Sequence, residues 1–127
     1  MNTSKGESHI IDILNKEKIP FVREKCYADL KRNGIFFRYD FYLPEQNILC
    51  EVDGIQHFQE AWGGRKELMH RQENDRKKNS YALSQNIPLY RIPYWELSNI
   101  QRVNDIFQDK YKVISKWHND RISSPEK

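Results

Sequence analysis

A chain of 127 residues with 38% hydrophobic and 13% aromatic side chains is sized for one domain with a real core, which excludes a disordered segment. Its net charge of +3 permits a polyanionic partner without demanding one. Two cysteines and four scattered histidines make neither a disulfide scaffold nor a zinc finger, and no apolar run is long enough to cross a membrane. The N-terminal MNTSKGESH lacks the apolar core of a signal peptide, so a cytoplasmic protein with reduced thiols is expected.

In chain order, residues 4 to 18 read as a helix whose apolar side carries Ile10, Ile11 and Leu14. Residues 19 to 34 show no clear period, and Asn33-Gly34 marks a turn. Residues 37 to 43 and 48 to 53 alternate as two strands around the turn Pro44-Glu45-Gln46-Asn47. Gly63-Gly64 reads as a loop that could cover a site, and a long polar helix is expected from Arg65 to Gln85. The apolar run 87 to 92 is a short strand that Pro88 and Pro93 assign to an edge or a strand end. A last helix is expected from Ser98, with Gln101 completing a capping box and a core stripe of Ile100, Val103, Phe107, Tyr111 and Ile114. The tail 119 to 127 reads as frayed, leaving a single domain over 1 to 118. These elements predict an α/β or α+β fold, a small mixed sheet flanked by helices.

The chemistry concentrates in the hairpin. If Leu43 pairs with Ile48, Asp40 falls opposite Glu51 with their Cβ atoms only ~5 Å apart, where like charges repel. Asp53 shares that face, since side chains two apart on a strand point the same way. A divalent cation held by hard oxygens would relieve such a cluster. The plain alternative is a solvated hairpin face on which Arg38, opposite Asp53 in the same register, forms a surface ion pair. His57, just beyond Gly54, adds a group suited to proton transfer or metal ligation.

Two further acids carry open alternatives. Glu7 turns toward the packed side of its helix, yet Ser4-Lys5-Gly6-Glu7 also fits a capping box. Asp75 lies on an inward row with Leu68, Gln72 and Ala82, but a solvated pair with Arg71 or Lys78 is the preferred reading. Residues 65 to 78 hold six Lys or Arg against three acids, so Arg65, Lys66, Arg71, Arg76 and Lys77 are candidates to follow a phosphate backbone.

The spacing Asp40, ten residues, Glu51-Val52-Asp53 resembles the core of PD-(D/E)xK nucleases. More narrowly, DFYLP, CEVDGIQHF, Asp75-x-x-Lys78 and IPLYRIPY resemble the very-short-patch-repair-like branch, which includes bacteriophage homing endonucleases with a Glu/Asp/His/Asp signature. The resemblance spans roughly residues 4 to 95. It implies a restriction-endonuclease-like core and an Mg²⁺-dependent endonuclease acting on DNA, with Mn²⁺ as substitute and the oligomeric state left open, a dimer included. Asp40 and Glu51 then match the metal-binding acids, Val52 offers its backbone carbonyl, and Glu7, His57 and Asp75 match the remaining signature positions. Asp53 stands where the larger family has lysine, so His57 or Lys78 must fill that role. His57 is the expected one, because a lysine in a basic run is replaceable by its neighbours. The alternatives are an inactive nucleic-acid-binding module of the same fold and an interaction protein whose hairpin acids are surface charge.

Overall fold

The computed structural model describes residues 4–55 and 64–118. The elements are α1 (Lys5–Lys16), β1 (Val22–Lys25), β2 (Lys31–Arg32), β3 (Ile35–Phe36), β4 (Tyr39–Leu43), β5 (Ile48–Asp53), α2 (Gly64–Ser84) and β6 (Leu89–Pro93), followed by three short 3₁₀ turns. Four strands form one mixed sheet in the order β1-β4-β5-β6, and β2 and β3 make a separate two-stranded ribbon. The fold is α+β. Gly63 and the tail 119–127 lie outside the described residues, and Gly64 opens α2 rather than a loop.

The hairpin register is the expected one. Leu43 faces Ile48 and Phe41 faces Cys50 across antiparallel β4 and β5, with Asn47 in the left-handed region closing the turn at φ 54. The Tyr42 hydroxyl donates to the Asn47 side chain at 2.7 Å and helps hold that turn. β5 then pairs in parallel with β6, and α2 makes the crossover that parallel neighbours need. β6 is an edge strand, as its prolines predict. Its free side is blunted where the Val113 N–H donates to the Leu89 carbonyl at 2.9 Å.

β5 and β6 bury both faces. Cys50, Tyr90 and Ile92 pack with Ile10, Ile13 and Leu14 of α1, while Leu49 and Leu89 pack with Tyr39 and Ala82 on the α2 side. β1 has no counterpart in the sequence reading. Only four residues long, it carries charged side chains, is interrupted by Glu24 at φ 51, and leans on β4 as the other edge. Short charged strands are typical of edges and leave little periodicity to detect.

The expected C-terminal helix is replaced by 3₁₀ turns at Tyr94–Asn99, Val103–Phe107 and Asp109–Tyr111. Ser98 and Gln101 do not form a capping box. The Asp105 carboxylate accepts the Gln101 and Arg102 N–H groups instead, at 2.9 and 3.1 Å, and starts a new turn there. Ile100, Val103 and Ile106 are buried at steps of three, the period of a 3₁₀ turn. Ile114, assigned to the stripe, is 75% exposed. This segment is tied to α1, where His9 Nε2 meets the Ile100 carbonyl at 2.7 Å and the Val103 N–H donates to Glu17 at 2.8 Å.

Gly6 sets how closely α1 approaches the sheet. A Cβ there would lie 2.8 Å from Val52 Cγ1 and 2.9 Å from a Leu97 methyl, closer than carbon atoms pack. Gly6→Ala is expected to destabilise the fold by about 1–3 kcal/mol, the usual cost of an overpacked site. A denaturant midpoint equal to that of the parent would show that Val52 and Leu97 give way freely.

Candidate active site

At the C-terminal end of β5, the start of α1 and the middle of α2 flank a cleft of about 430 Å³ lined by Glu7, Asp40, Glu51, Val52, Asp53 and Lys78, among others. The strand ladder opens here into side-chain bonds. The Asp40 N–H donates to Glu51 Oε2 at 2.7 Å, and the Val52 N–H donates to Asp40 Oδ2 at 2.8 Å. Each carboxyl group is thus pinned by the backbone of the opposite strand. Loop length alone predicted this juxtaposition.

Two carboxyl groups so close cannot ionise independently. Asp40 is pushed up to about 9, first by the loss of water around it and next by the Glu51 charge, with Lys78 and the Val52 N–H opposing. Burial works against Glu51 too, but the Lys78 ammonium and Arg91 guanidinium outweigh it and hold that carboxyl below its ordinary value. The pair is thus driven in opposite directions, Asp40 toward its protonated form and Glu51 toward its ionised one.

Lys78 does not belong to the solvated run. Its side chain is only 13% exposed, its ammonium forms a close ion pair with Glu51 Oε1, and it lies 5.2 Å above the Tyr39 ring. The Tyr39 hydroxyl donates to the Lys78 carbonyl at 2.8 Å and anchors the same residue by its backbone. The neighbours that were to replace Lys78 point elsewhere: Lys77 is exposed, and the Arg76 guanidinium stacks 4.8 Å from the Trp117 ring. A cation therefore stands at Glu51, supplied from the helix rather than the strand.

Arg91 is the residue the sequence reading missed. It is fully buried, with Nη1 2.8 Å from Asp53 and 3.9 Å from Glu51, and Nη2 3.5 Å from Asp75. Its Nε donates to the Asn79 side chain at 2.7 Å. Burial opposes its charge, yet Asp53, Asp75 and Glu51 together raise its pKa above the usual arginine value, so it stays ionised. The only signal was an arginine inside an otherwise apolar strand.

Several expectations change accordingly. Asp53 shares the cluster but is buried against Arg91, not exposed beside Arg38, which instead meets Glu24 at 3.3 Å. Asp75 is likewise buried against Arg91 rather than forming a solvated helical pair. Ser4 caps α1 by accepting the Glu7 N–H at 3.1 Å, while the Glu7 carboxylate pairs with Arg23 at the cleft wall. Arg65, Lys66 and Arg76 line a hollow with Glu67 and Glu73, whereas Arg71 shares a separate groove with Arg38, Asp75 and Lys78. His57 lies outside the described residues.

No protein-family model matches the chain, and no curated protein matches it, so its chemistry is read from geometry. Among the described residues, no three His, Cys, Asp or Glu side chains gather into a group able to hold a metal alone. The Asp40–Glu51 pair nevertheless suits Mg²⁺, which keeps most of its waters and takes only one or two carboxylates.

Arg91→Met would leave Asp53 and Asp75 buried without their cation, and a loss of about 3–5 kcal/mol in unfolding free energy is expected. Urea denaturation measures it, and a loss under 1 kcal/mol would mean that water or lysine replaces the guanidinium. The second expectation concerns pH. An acid with a raised folded pKa favours folding fully below its unfolded value of 3.8, and that contribution is lost as pH rises to about 9. Asp40→Asn keeps the acceptor for Val52 and removes the titration. In EDTA its melting temperature should exceed that of the parent by a margin growing from pH 5 to pH 9, whereas parallel profiles would contradict the assignment.

Proposed function

We propose that this chain is a metal-dependent endonuclease that hydrolyses DNA phosphodiester bonds, with Asp40, Glu51 and Lys78 at its reacting centre. One observation carries the reading: a pinned carboxylate pair on a hairpin meets a lysine from another element, in a cleft open to solvent. The position held by Asp53 would be a lysine in the nucleases the sequence resembles, and Lys78 supplies that charge from α2. A homing-type or nicking enzyme of a phage or mobile element, working in the cytoplasm, is the setting the resemblance suggests. Among the described residues no helix is long and apolar enough to cross a membrane.

Asp40 and Glu51 would hold Mg²⁺ or Mn²⁺, with the Val52 carbonyl as a further oxygen. When bound, the ion would polarise the phosphate and make its water more acidic. The Lys78 ammonium, held at the cleft by its ion pair with Glu51, is suited to a non-bridging phosphate oxygen, where negative charge grows in the transition state. His57 remains the sequence candidate for taking the proton from water. Asp53 and Asp75 act as positioning residues through Arg91. Glu7, in the cleft lining, is held by its ion pair with Arg23.

The second reading is a nucleic-acid-binding module without activity. It is favoured by the Lys78–Glu51 ion pair, in which a cation of the chain itself takes one Glu51 oxygen.

Supercoiled plasmid incubated with Mg²⁺, Mn²⁺ or EDTA separates the two. The nuclease nicks or linearises the plasmid with either metal and not in EDTA. Asp40→Asn and Glu51→Gln should abolish cutting, Lys78→Met should reduce it about 10²–10³-fold, and His57→Ala about 10²–10⁴-fold. Retardation of DNA with no cutting in either metal would select the inactive module. A Lys78→Met protein that cuts normally would remove the lysine from the centre.

A further inference from the structure

Two polar atoms of α2 stand without a partner beside the cleft. Among the described residues, neither Arg71 Nε nor Asn74 Oδ1 meets a hydrogen-bonding group, and both atoms are closed off from solvent. A shielded polar atom left unpaired is costly, and one in a native fold calls for an explanation. The two residues lie one turn apart, both half-buried. Both line a groove of about 450 Å³ whose opposite wall is Ile35, Phe36 and Phe37. Lys78, one turn further along the same face, lines this groove and the cleft alike. The other charged groups of the groove are already engaged: Lys78 with Glu51, Asp75 with Arg91, and Arg38 with Glu24. What the groove has left to offer is a donor from Arg71 and an acceptor from Asn74.

We propose that this groove reads a base: Arg71 and Asn74 together grip the major-groove edge of an adenine beside the scissile phosphate. The proposal rests on DNA being the substrate of the cleft. Arg71 Nε–H needs an acceptor and Asn74 Oδ1 needs a donor, so the ligand must present one of each side by side. In the major groove of a paired duplex only adenine does so, with N7 as the acceptor and the N6 amino group as the donor. Guanine shows two acceptors there, cytosine a donor, and thymine an acceptor beside its methyl group. Rotation about the side-chain bonds turns both groups into the groove, and each exchanges an unpaired state for a paired one. Lys78 sets the register, because it lines both spaces: the adenine belongs to the base pair next to the phosphate that Lys78 meets. Arg71 thus contacts a base rather than following the phosphate backbone.

The test uses the full chain in EDTA, so that no strand is cut. Duplexes that bind it are selected from a randomised pool and sequenced, and they should carry adenine at one fixed position. Guanine in its place should weaken binding about 5- to 150-fold, the range for one well-made base contact. A duplex with 7-deazaadenine there, which lacks the N7 acceptor, should also bind the wild-type protein more weakly. Asn74→Ala and Arg71→Lys both put good helix formers on α2, and circular dichroism checks that they fold. Both should lose the adenine preference. Their log–log slope of affinity against salt should match that of the wild type, because no phosphate contact is removed. Selection without an adenine preference overturns the proposal, as do variants that keep the preference. Equal binding of adenine and 7-deazaadenine overturns it too, and so does failure to bind DNA. Plasmid cutting in Mg²⁺ judges the nuclease reading separately. A protein that selects adenine but never cuts retains the base-reading groove, and one that cuts without selecting adenine does not.

Discussion

The contact on which the rest of the molecule depends is the Arg91 guanidinium, buried at the seam between the sheet and α2. Its partners come from two elements: Asp53 and Glu51 from β5, and Asp75 and Asn79 from α2. Such a network is weak evidence for stability, since replacing all its members by apolar groups is often neutral, whereas removing one is costly. What it achieves is alignment. Asp75, Lys78 and Asn79 share one face of α2, so a helix locked to Arg91 through Asp75 and Asn79 must turn Lys78 toward Glu51.

That alignment divides the α2 side of the sheet into two zones. Away from the cleft, Leu49, Leu89, Tyr39 and Ala82 form a dry contact. Toward the cleft, the same strands carry Glu51, Asp53 and Arg91, and polar groups replace apolar packing. Burial in the second zone lets few charges act strongly, because water no longer screens them. The opposite directions of Asp40 and Glu51 follow: burial and the Glu51 charge win at Asp40, whereas the Lys78 ammonium and the Arg91 guanidinium together outweigh burial at Glu51. On the other side of the sheet, Gly6 lets α1 come close enough for its first turn to wall the cleft.

Much of this was legible along the chain. Period-two alternation and a four-residue loop set the β4–β5 register, which alone brings Asp40 to Glu51. Helical periodicity and caps located α1 and α2 to within two residues, and the flanking prolines assigned β6 to an edge. These are local properties, determined by steric and hydrogen-bonding preferences of neighbouring residues. The C-terminal stripe shows their limit. Apolar residues at steps of three and four favour an α-helix, and the 3₁₀ series was decided against that pattern by Asp105 capping a new turn and by packing against α1.

The tertiary structure alone decided which charges meet. Asp53 and Arg91 are 38 positions apart, and Glu51 and Lys78 are 27. A sequence gives such charges many possible partners, nearly all of them worth little when solvated. Asp75 illustrates this: its helical neighbours offered an ordinary surface pair, and only the docking of α2 onto β6 turned it to Arg91. The chain by itself determined which side chains share a strand or helix face. Which faces close on one another, and so which charges lose their water and must find each other, was decided by the packing of α2 across β5 and β6.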